Sequence, residues 1–248
     1  MKKHTLGVFL FGLATVISMT LLYGADLGRN WLEVSGSAAK EYRIPIRGAQ
    51  SEDLRAALTF NGSGPEDRSA EILETLEEKR LKAAFFVTVE WAGSHPRELE
   101  QIRTSGQELG LLGDGENSEE EVLAAREELE RLAGQEVRMF RPRQEDCGSR
   151  IFRAAEDAGM RVLGWGLDSL DWKEYGKEEL IRRIAGNLET GDILLCRTEP
   201  SATAEALGEL TETLDAGGWK LLPLSELLGS DQGYTDRQGI WHPDRLHS

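Results

Sequence analysis

Short apolar runs alternate with longer helix-like segments from residue 51 onward, and this alternation constrains the fold more than any other feature. The runs predict seven strands, at Arg55–Phe60, Ala83–Val89, Glu108–Leu112, Val137–Phe140, Arg161–Leu167, Asp192–Cys196 and Trp219–Leu222. The intervening segments predict helices, at residues 69–80, 96–104, 118–132, 149–158, 177–188 and 202–214. Helices of this length between short strands indicate parallel βαβ units.

Seven such units predict an α/β fold in which the sheet closes, or nearly closes, into a barrel. An open doubly wound sheet is the alternative. The pair Ser118 and Glu121 has the spacing of a capping box and predicts the start of the third helix.

The amino-terminal segment predicts a membrane anchor. A basic start, Met1 to His4, precedes nineteen uncharged residues, Thr5 to Tyr23, which is long enough to cross a bilayer as one helix. We therefore divide the chain into a cytoplasmic stub and transmembrane signal anchor (1–25), a juxtamembrane linker (26–50), the α/β domain (51–229) and a polar tail (230–248). The tail is expected to be extended or disordered. The domain would then lie outside the cell membrane, and a cleaved signal peptide, which would release it, is the alternative.

The overall charge bears on the partner. The formal net charge is −15, from 44 acidic and 29 basic residues. Nucleic acids need a basic surface, so we expect no nucleic-acid partner.

The candidate site follows from the barrel. In parallel α/β folds the functional residues lie beyond the carboxyl ends of the strands. The residues at these positions are Asn61, Gly62, Asp114, Glu116, Arg141, Pro142, Arg143, Asp146, Cys147, Asp168, Asp171, Trp172, Cys196, Arg197 and Glu199. Their convergence on one face predicts a pocket.

The residues around these strand ends resemble a known family. They include Ala57-Leu-Thr-Phe60, Lys82-Ala-Ala-Phe-Phe-Val87, Gly106-Gln-Glu-Leu-Gly110, Phe140-Arg-Pro142, Trp165-Gly-Leu-Asp-Ser-Leu-Asp-Trp172 and Gly191-Asp-Ile-Leu-Leu195. From about Ile44 to Leu228 the chain resembles the polysaccharide deacetylases of the NodB-homology type, most closely their sporulation-associated branch. The resemblance implies a distorted (β/α)7 barrel and metal-assisted removal of N-acetyl groups from glycans.

The resemblance also implies that most catalytic groups are replaced. Asn61 stands where the family has the base aspartate, and an amide cannot take a proton. The three positions of the metal ligands hold Gly62, Leu112 and Glu116, and we interpret Cys196 as the replacement of the general-acid histidine. The matching residues that remain are Arg141, Pro142, Asp168, Asp171 and Trp172.

These changes predict a membrane-tethered pseudoenzyme that binds cell-wall polysaccharide or an envelope protein. We expect it to have no cofactor. The alternative is an active hydrolase of carbon–nitrogen bonds with a rebuilt site. Its divalent ion, such as zinc, would be held among Asp114, Glu116, Asp146, Asp168 and Cys196.

The two cysteines allow a further alternative. Cys147 and Cys196 both follow strand ends on the same barrel face, so they can lie within disulfide range. Two separate, partly buried thiols are the other interpretation.

Overall fold

A computed structural model describes residues 43–64, 66–115, 118–143, 148–173 and 175–244. The strands are β1 (Gly48–Ala49), β2 (Arg55–Gly62), β3 (Ala84–Val87), β4 (Glu108–Leu112), β5 (Met139–Arg141), β6 (Arg161–Val162), β7 (Leu167–Asp168), β8 (Ile193–Arg197), β9 (Lys220–Leu221), β10 (Gly233–Thr235) and β11 (Ile240–Pro243).

The helices alternate with these strands as the sequence predicts. They are α1 (Ser69–Glu78), α2 (Val89–Ser94), α3 (Pro96–Thr104), α4 (Glu119–Ala133), α5 (Gly148–Asp157), α6 (Lys177–Asn187), α7 (Ser201–Ala216) and α8 (Leu224–Leu228), with a short 3-10 helix at Asp171–Lys173. The capping box is confirmed, because the Ser118 hydroxyl accepts from the Glu121 amide and the Glu121 carboxylate accepts from the Ser118 amide.

The main sheet is parallel and curled into an incomplete barrel. Its strand order is β6-β5-β4-β3-β2-β8-β7, and β9 pairs with the start of β2. The two edge strands, β6 and β7, follow each other in the chain, so residues 163–166 connect the two edges of the sheet. The prediction of parallel βαβ units is therefore confirmed.

The predicted single strand Arg161–Leu167 is wrong, because this segment changes partner halfway along. Its first half pairs with β5 and its second half with β8. Gly166 lies at the change, where a Cβ atom would come within 2.0 Å of Asp192 Oδ1. Only a residue without a side chain fits at this point.

Strand alternation divides the apolar residues between two cores. Phe60 and Cys196 belong to the larger core, which packs the sheet against the outer helices. Their strand neighbours Ala57 and Ile193, together with Phe86, belong to the smaller core inside the curl. A residue's position in the strand therefore decides whether it faces the helices or the interior.

A second, three-stranded sheet joins the two ends of the described chain. β11 pairs in parallel with β1 and antiparallel with β10. Of the two alternatives predicted for the tail, extended or disordered, the disordered one is wrong for residues 233–243, because they contain two paired strands and Trp241 is buried in the interior core. The described part of the predicted linker is packed as well, since Ile46 and Ala49 are buried.

The predicted transmembrane helix lies outside the described residues. Among the residues that are described, no helix is both long enough and apolar enough to cross a bilayer.

Candidate functional site

The candidate site lies inside the curl, at the carboxyl ends of the strands. Asn61 at the end of β2 is in register with Phe86 on one side and Arg197 on the other. Arg141 at the end of β5 is in register with Leu112. The topology thus brings the ends of five neighbouring strands around one interior space.

Arg141 is completely buried and reaches across this space. Its Nη1 donates to Asn61 Oδ1 over 2.9 Å and its Nη2 donates to the Gly164 carbonyl over 3.0 Å. The guanidinium carbon lies 3.9 Å from the centre of the Phe86 ring, a cation–π contact. Burial, aided by the positive charge of Arg197, lowers the pKa of Arg141 to about 9, so the side chain stays charged at neutral pH.

Arg197 is the centre of a second, denser network. It donates to Asp168 over 2.9 Å and 3.1 Å and to Asp171 Oδ1 over 2.8 Å. Burial alone would lower the pKa of Arg197, but the hydrogen bonds and charges of the two aspartates outweigh burial and raise it. For Asp168, burial favours a higher pKa, and Arg197 reverses this effect and lowers it.

Asp171 is the buried anchor of this network. Its side chain has no exposed surface. Its Oδ2 accepts from the backbone amide of Arg197 over 2.7 Å and from the Thr203 hydroxyl over 2.7 Å. With both oxygens engaged, the carboxylate has little capacity left for a metal ion or a substrate.

The backbone between the two aspartates adopts an unusual conformation that points both toward Arg197. Leu170 has φ of 56°, in the left-handed region that costs a residue with a side chain about 1 kcal/mol or more. Its amide donates to Asp168 Oδ1 over 2.9 Å, and Arg183 donates to the carbonyls of Asp168 and Ser169. Four hydrogen bonds, counting that of the Ser169 amide to Leu195, therefore hold this turn.

The structure corrects the assignment of Cys196. Cys196 faces the helix layer and is buried there, whereas the next residue, Arg197, faces the interior. Strand alternation is the reason. The resemblance implies a Leu-x-His-Asp pattern at this strand end, in which the general-acid histidine is two residues after Leu195, and this chain has Arg197 there.

Cys196 is a free, buried thiol. Burial, with the nearby charge of Asp171, raises the pKa of this thiol well above its ordinary value, so it is not a thiolate near neutral pH. Cys147 lies outside the described residues, and the disulfide alternative gains no support from Cys196.

The family's ligand positions do not fit a divalent metal ion. Gly62 offers no donor, and a Cβ there would lie 3.1 Å from Trp91 Nε1 and 3.4 Å from Thr198 Oγ1. Leu112 is buried hydrocarbon in the interior core. Glu116 lies outside the described residues. The two guanidinium groups of Arg141 and Arg197 add positive charge to the space where a cation would sit.

Of the residues proposed for a rebuilt metal site, the described members Asp114, Asp168 and Cys196 are not gathered either. Asp114 is exposed and lies 3.3 Å from Arg143, and Asp168 is paired with Arg197. Cys196 faces the other side of the sheet, while Glu116 and Asp146 lie outside the described residues. Within the described ranges, no three His, Cys, Asp or Glu side chains come together as a metal site.

Two carboxylates hold the loop after β2, Glu199, which the sequence predicted at the strand ends, and Asp67, which it did not. Asp67 Oδ2 accepts from Trp91 Nε1 over 2.7 Å and from Thr198 Oγ1 over 2.6 Å, beside Gly62. Glu199 Oε1 accepts from the amides of Ser63 and Gly64, each over 2.9 Å. Glu199 was recognisable as a strand-end residue, whereas no sequence signal marked Asp67.

The remaining predicted residues lie at the opening of the site. Trp172 is on the 3-10 helix and 55% exposed, so it is not a core tryptophan. The ammonium group of Lys173 lies 5.3 Å from the centre of its ring. Pro142, next to Arg141, is buried, and Trp165 is partly buried.

The fold and the site together define a barrel-type α/β protein whose interior site is filled by arginine–carboxylate and arginine–amide contacts. The sequence profile of the polysaccharide deacetylase family matches residues 48–113. This match, with the relatives and solved structures that follow, shows that the chain carries a domain of the polysaccharide deacetylase family, of the NodB or CE4 type. The predicted family is confirmed, and the sporulation-associated branch stays a prediction.

Two relatives are deacetylases of different glycans. A peptidoglycan-N-acetylglucosamine deacetylase of Bacillus cereus is 25% identical over 186 residues, covering 69% of this chain and 87% of its own. A chitooligosaccharide deacetylase of Rhizobium leguminosarum bv. trifolii is 24% identical over 190 residues, covering 70% of this chain and 86% of its own.

Among solved structures, a wild-type CE4 family pseudoenzyme from Bacillus anthracis superimposes with a TM-score of 0.69 and 26% identity, over 75% of this chain and 69% of that one. A mutant of that protein with restored enzymatic activity gives the same TM-score and identity, over 75% of this chain and 71% of the mutant.

Proposed function

We propose that this protein is a polysaccharide deacetylase-like protein that binds cell-wall glycan without deacetylating it. The observation that carries the proposal is the pairing of Arg197 with Asp168 and Asp171 at the position of the family's general acid. The family membership and the peptidoglycan deacetylases among its relatives support a role on wall polysaccharide.

The loss of catalysis follows from proton chemistry. Amide hydrolysis by this family needs a base that accepts a proton from water and an acid that donates one to the leaving amine. The Asn61 amide accepts no proton at neutral pH, and its oxygen is already bonded to Arg141. Arg197 keeps its proton because its pKa is raised further by two carboxylates. Neither residue can therefore exchange a proton during a reaction.

The loss of the metal follows from the donor set. Zinc in hydrolases is held by nitrogen, sulfur or carboxylate ligands. The described ligand positions present a glycine and a buried leucine, and the carboxylates near them, Asp67, Asp168 and Asp171, are already hydrogen-bonded within the protein. The proposal therefore includes no metal cofactor.

The retained binding surface is the opening of the site. Trp172 presents a flat apolar ring to solvent beside Asp171. Aromatic rings with one exposed face stack well on the apolar faces of sugars, while neighbouring polar groups bond to hydroxyls. Lys173, over the same ring, is an exposed side chain that a glycan can displace.

The proposal also places the domain outside the cell membrane, tethered by residues 1–25. The support is the sequence alone, with its basic start and nineteen uncharged residues. If the segment is cleaved instead, the domain is secreted. Extraction of cell membranes with carbonate distinguishes the tethered from the cleaved protein. Full-length chain in the membrane pellet indicates a tether, whereas its absence from the pellet indicates cleavage.

One experiment with two readouts tests the functional proposal. The full chain, purified in mild detergent, is incubated with N-acetylated chitin oligomers and with peptidoglycan, with added zinc or cobalt, and released acetate is measured. In parallel, retention on insoluble chitin and peptidoglycan is measured. An active peptidoglycan deacetylase serves as the positive control for both assays.

We expect retention without acetate release. Acetate release at a rate above the metal-only blank would overturn the pseudoenzyme proposal and support the active hydrolase. Failure of retention on both glycans would overturn the glycan-binding proposal and leave an envelope protein as the partner class.

A further inference from the structure

The described part of the chain contains a cavity of about 520 Å³ that plays no part in the proposed function. It lies at the amino-terminal ends of β5 and β6, whereas Arg141 and the candidate site lie at the carboxyl end of β5. Phe152, Met160, Val162 and Trp241 give it an apolar wall. Its volume falls within the range of pockets that hold small organic ligands.

Two hydrogen-bond donors in the wall of this cavity lack acceptors. Neither Trp241 Nε1 nor Arg161 Nη2 has a hydrogen-bond partner within the described part of the chain, and both atoms are buried. Trp241 as a whole is 8% exposed. The guanidinium carbon of Arg161 lies 4.5 Å from the centre of the Trp241 ring, so the two donors share one corner of the cavity.

The charge of Arg161 is only weakly compensated. The side chain is largely buried, and burial lowers the pKa of its guanidinium. Its acidic partner, Asp231, is 3.3 Å away and 85% exposed, so water screens this pair strongly. This exposed partner leaves the buried Nη2 of Arg161 without an acceptor.

The acids at the opening of the cavity do not present unpaired negative charge. Glu136 accepts from Arg138 over 2.7 Å, and Glu156 accepts from Arg43. An anion entering the cavity therefore meets ion pairs at the rim and an under-compensated guanidinium inside.

Buried donors without acceptors cost stability, and native proteins rarely retain them without a reason. A carboxylate matches this corner, because its two oxygens can accept from a guanidinium and from a neighbouring N–H group together. The geometry points to a binding site here for a small carboxylate-bearing molecule with an apolar body. The carboxylate accepts from Arg161 and Trp241, and the apolar body packs on Phe152, Met160 and Val162.

The test uses 4-phenylbutyrate and its neutral amide as probes. The full chain is labelled with 5-fluorotryptophan and titrated in mild detergent while fluorine NMR is recorded. Six tryptophan signals are expected, and Trp241→Phe identifies that of Trp241. We expect the carboxylate to shift the Trp241 signal saturably, the Trp172 signal to stay unmoved, and the amide to bind about tenfold more weakly, as loss of a charged hydrogen bond implies.

A pair of variants tests whether the charge of Arg161 is the one that binds the carboxylate. Arg161→Gln should weaken carboxylate binding about tenfold or more, whereas Arg103→Gln, at an exposed arginine that does not line the cavity, should leave it unchanged. Equal binding of acid and amide, an unmoved Trp241 signal, or unchanged binding by Arg161→Gln would each overturn the proposal. Because the comparison of acid and amide uses the wild-type chain, it decides the question even if Arg161→Gln does not fold.

Discussion

Arg197 and Asp168 form a two-point ion pair, with Nη1 2.9 Å from Oδ1 and Nη2 3.1 Å from Oδ2. The same Nη1 also contacts the buried Asp171 over 2.8 Å. Arg197, which we propose stands at the family's general-acid position, thus carries a fixed charge. The consequence is structural, because the arginine ties β8 to the turn after β7.

The first prediction concerns this pair. Arg197→Ala should lower the free energy of unfolding by about 2–4 kcal/mol, because it leaves Asp171 charged, buried and without its cationic partner. Urea denaturation followed by circular dichroism at pH 7.5 measures the change. Arg103→Ala, which removes an exposed pair with Glu100, should change stability by less than about 1 kcal/mol.

The stability difference between wild type and Arg197→Ala should depend on pH. The pKa of Asp168 is lower in the folded than in the unfolded state, so the pair stabilises the fold above the unfolded pKa of about 3.9 and this contribution is lost as the pH falls further. The difference between wild type and Arg197→Ala should therefore narrow below about pH 4. A difference that grows in acid would contradict the assigned ion pair.

The second prediction concerns Asn61. Asn61→Asp should raise the free energy of unfolding by about 1 kcal/mol, because a carboxylate forms a stronger hydrogen bond than an amide with the buried Arg141. Asn61→Leu should lower it by about 1–3 kcal/mol, because Nη1 of Arg141 then loses its acceptor. Urea denaturation of the wild type, Asn61→Asp and Asn61→Leu gives the order of their free energies of unfolding. Equal stability of all three would show that Asn61 does not hold Arg141.

The third prediction concerns Trp172. Trp172→Ala should reduce retention on the preferred glycan about tenfold, because it removes the exposed ring proposed to stack on sugar. The free energy of unfolding should change by about 0.5 kcal/mol or less, since the ring is largely in solvent. Tyr234→Ala removes another exposed ring, on β10, and should leave retention unchanged. A similar loss in both variants would indicate non-specific adhesion.

The fourth prediction concerns Asp192 at the start of β8. Burial, with a smaller contribution from the charge of Glu189, raises the pKa of this carboxyl to about 6. The folded state therefore favours the protonated acid. Its stabilising contribution is complete below the unfolded pKa of about 3.9 and is lost as the pH rises through about 6.

Asp192→Asn keeps an oxygen for the Glu189 amide and removes the charge. The melting temperature should rise by about 2–4 °C at pH 8, with little or no gain at pH 4.5. Differential scanning calorimetry at both pH values measures this. Glu127→Gln, an exposed acid-to-amide change on α4, should show no such dependence, and an equal gain at both pH values would contradict the burial argument.

The strand and helix pattern was predictable because it is local. Apolar runs and capping signals such as Ser118 with Glu121 are encoded within a few residues, and the structure places elements at all six predicted helices. The segment 161–167 was predicted as one strand because both of its halves are apolar. Its change of partner depends on pairing with β5 and β8, which are separate segments of the chain.

The sequence by itself determined the family, and from the motif order it predicted that Asn61 and Gly62 replace the expected carboxylates. Only the tertiary structure decided that Arg197, not Cys196, faces the site, that Asp67 and Glu199 hold the loop after β2, and that residues 233–243 join β1. The physical reason is that side-chain direction and hydrogen-bond partners depend on strand register and on contacts between distant segments. Such contacts form only when the whole sheet has curled.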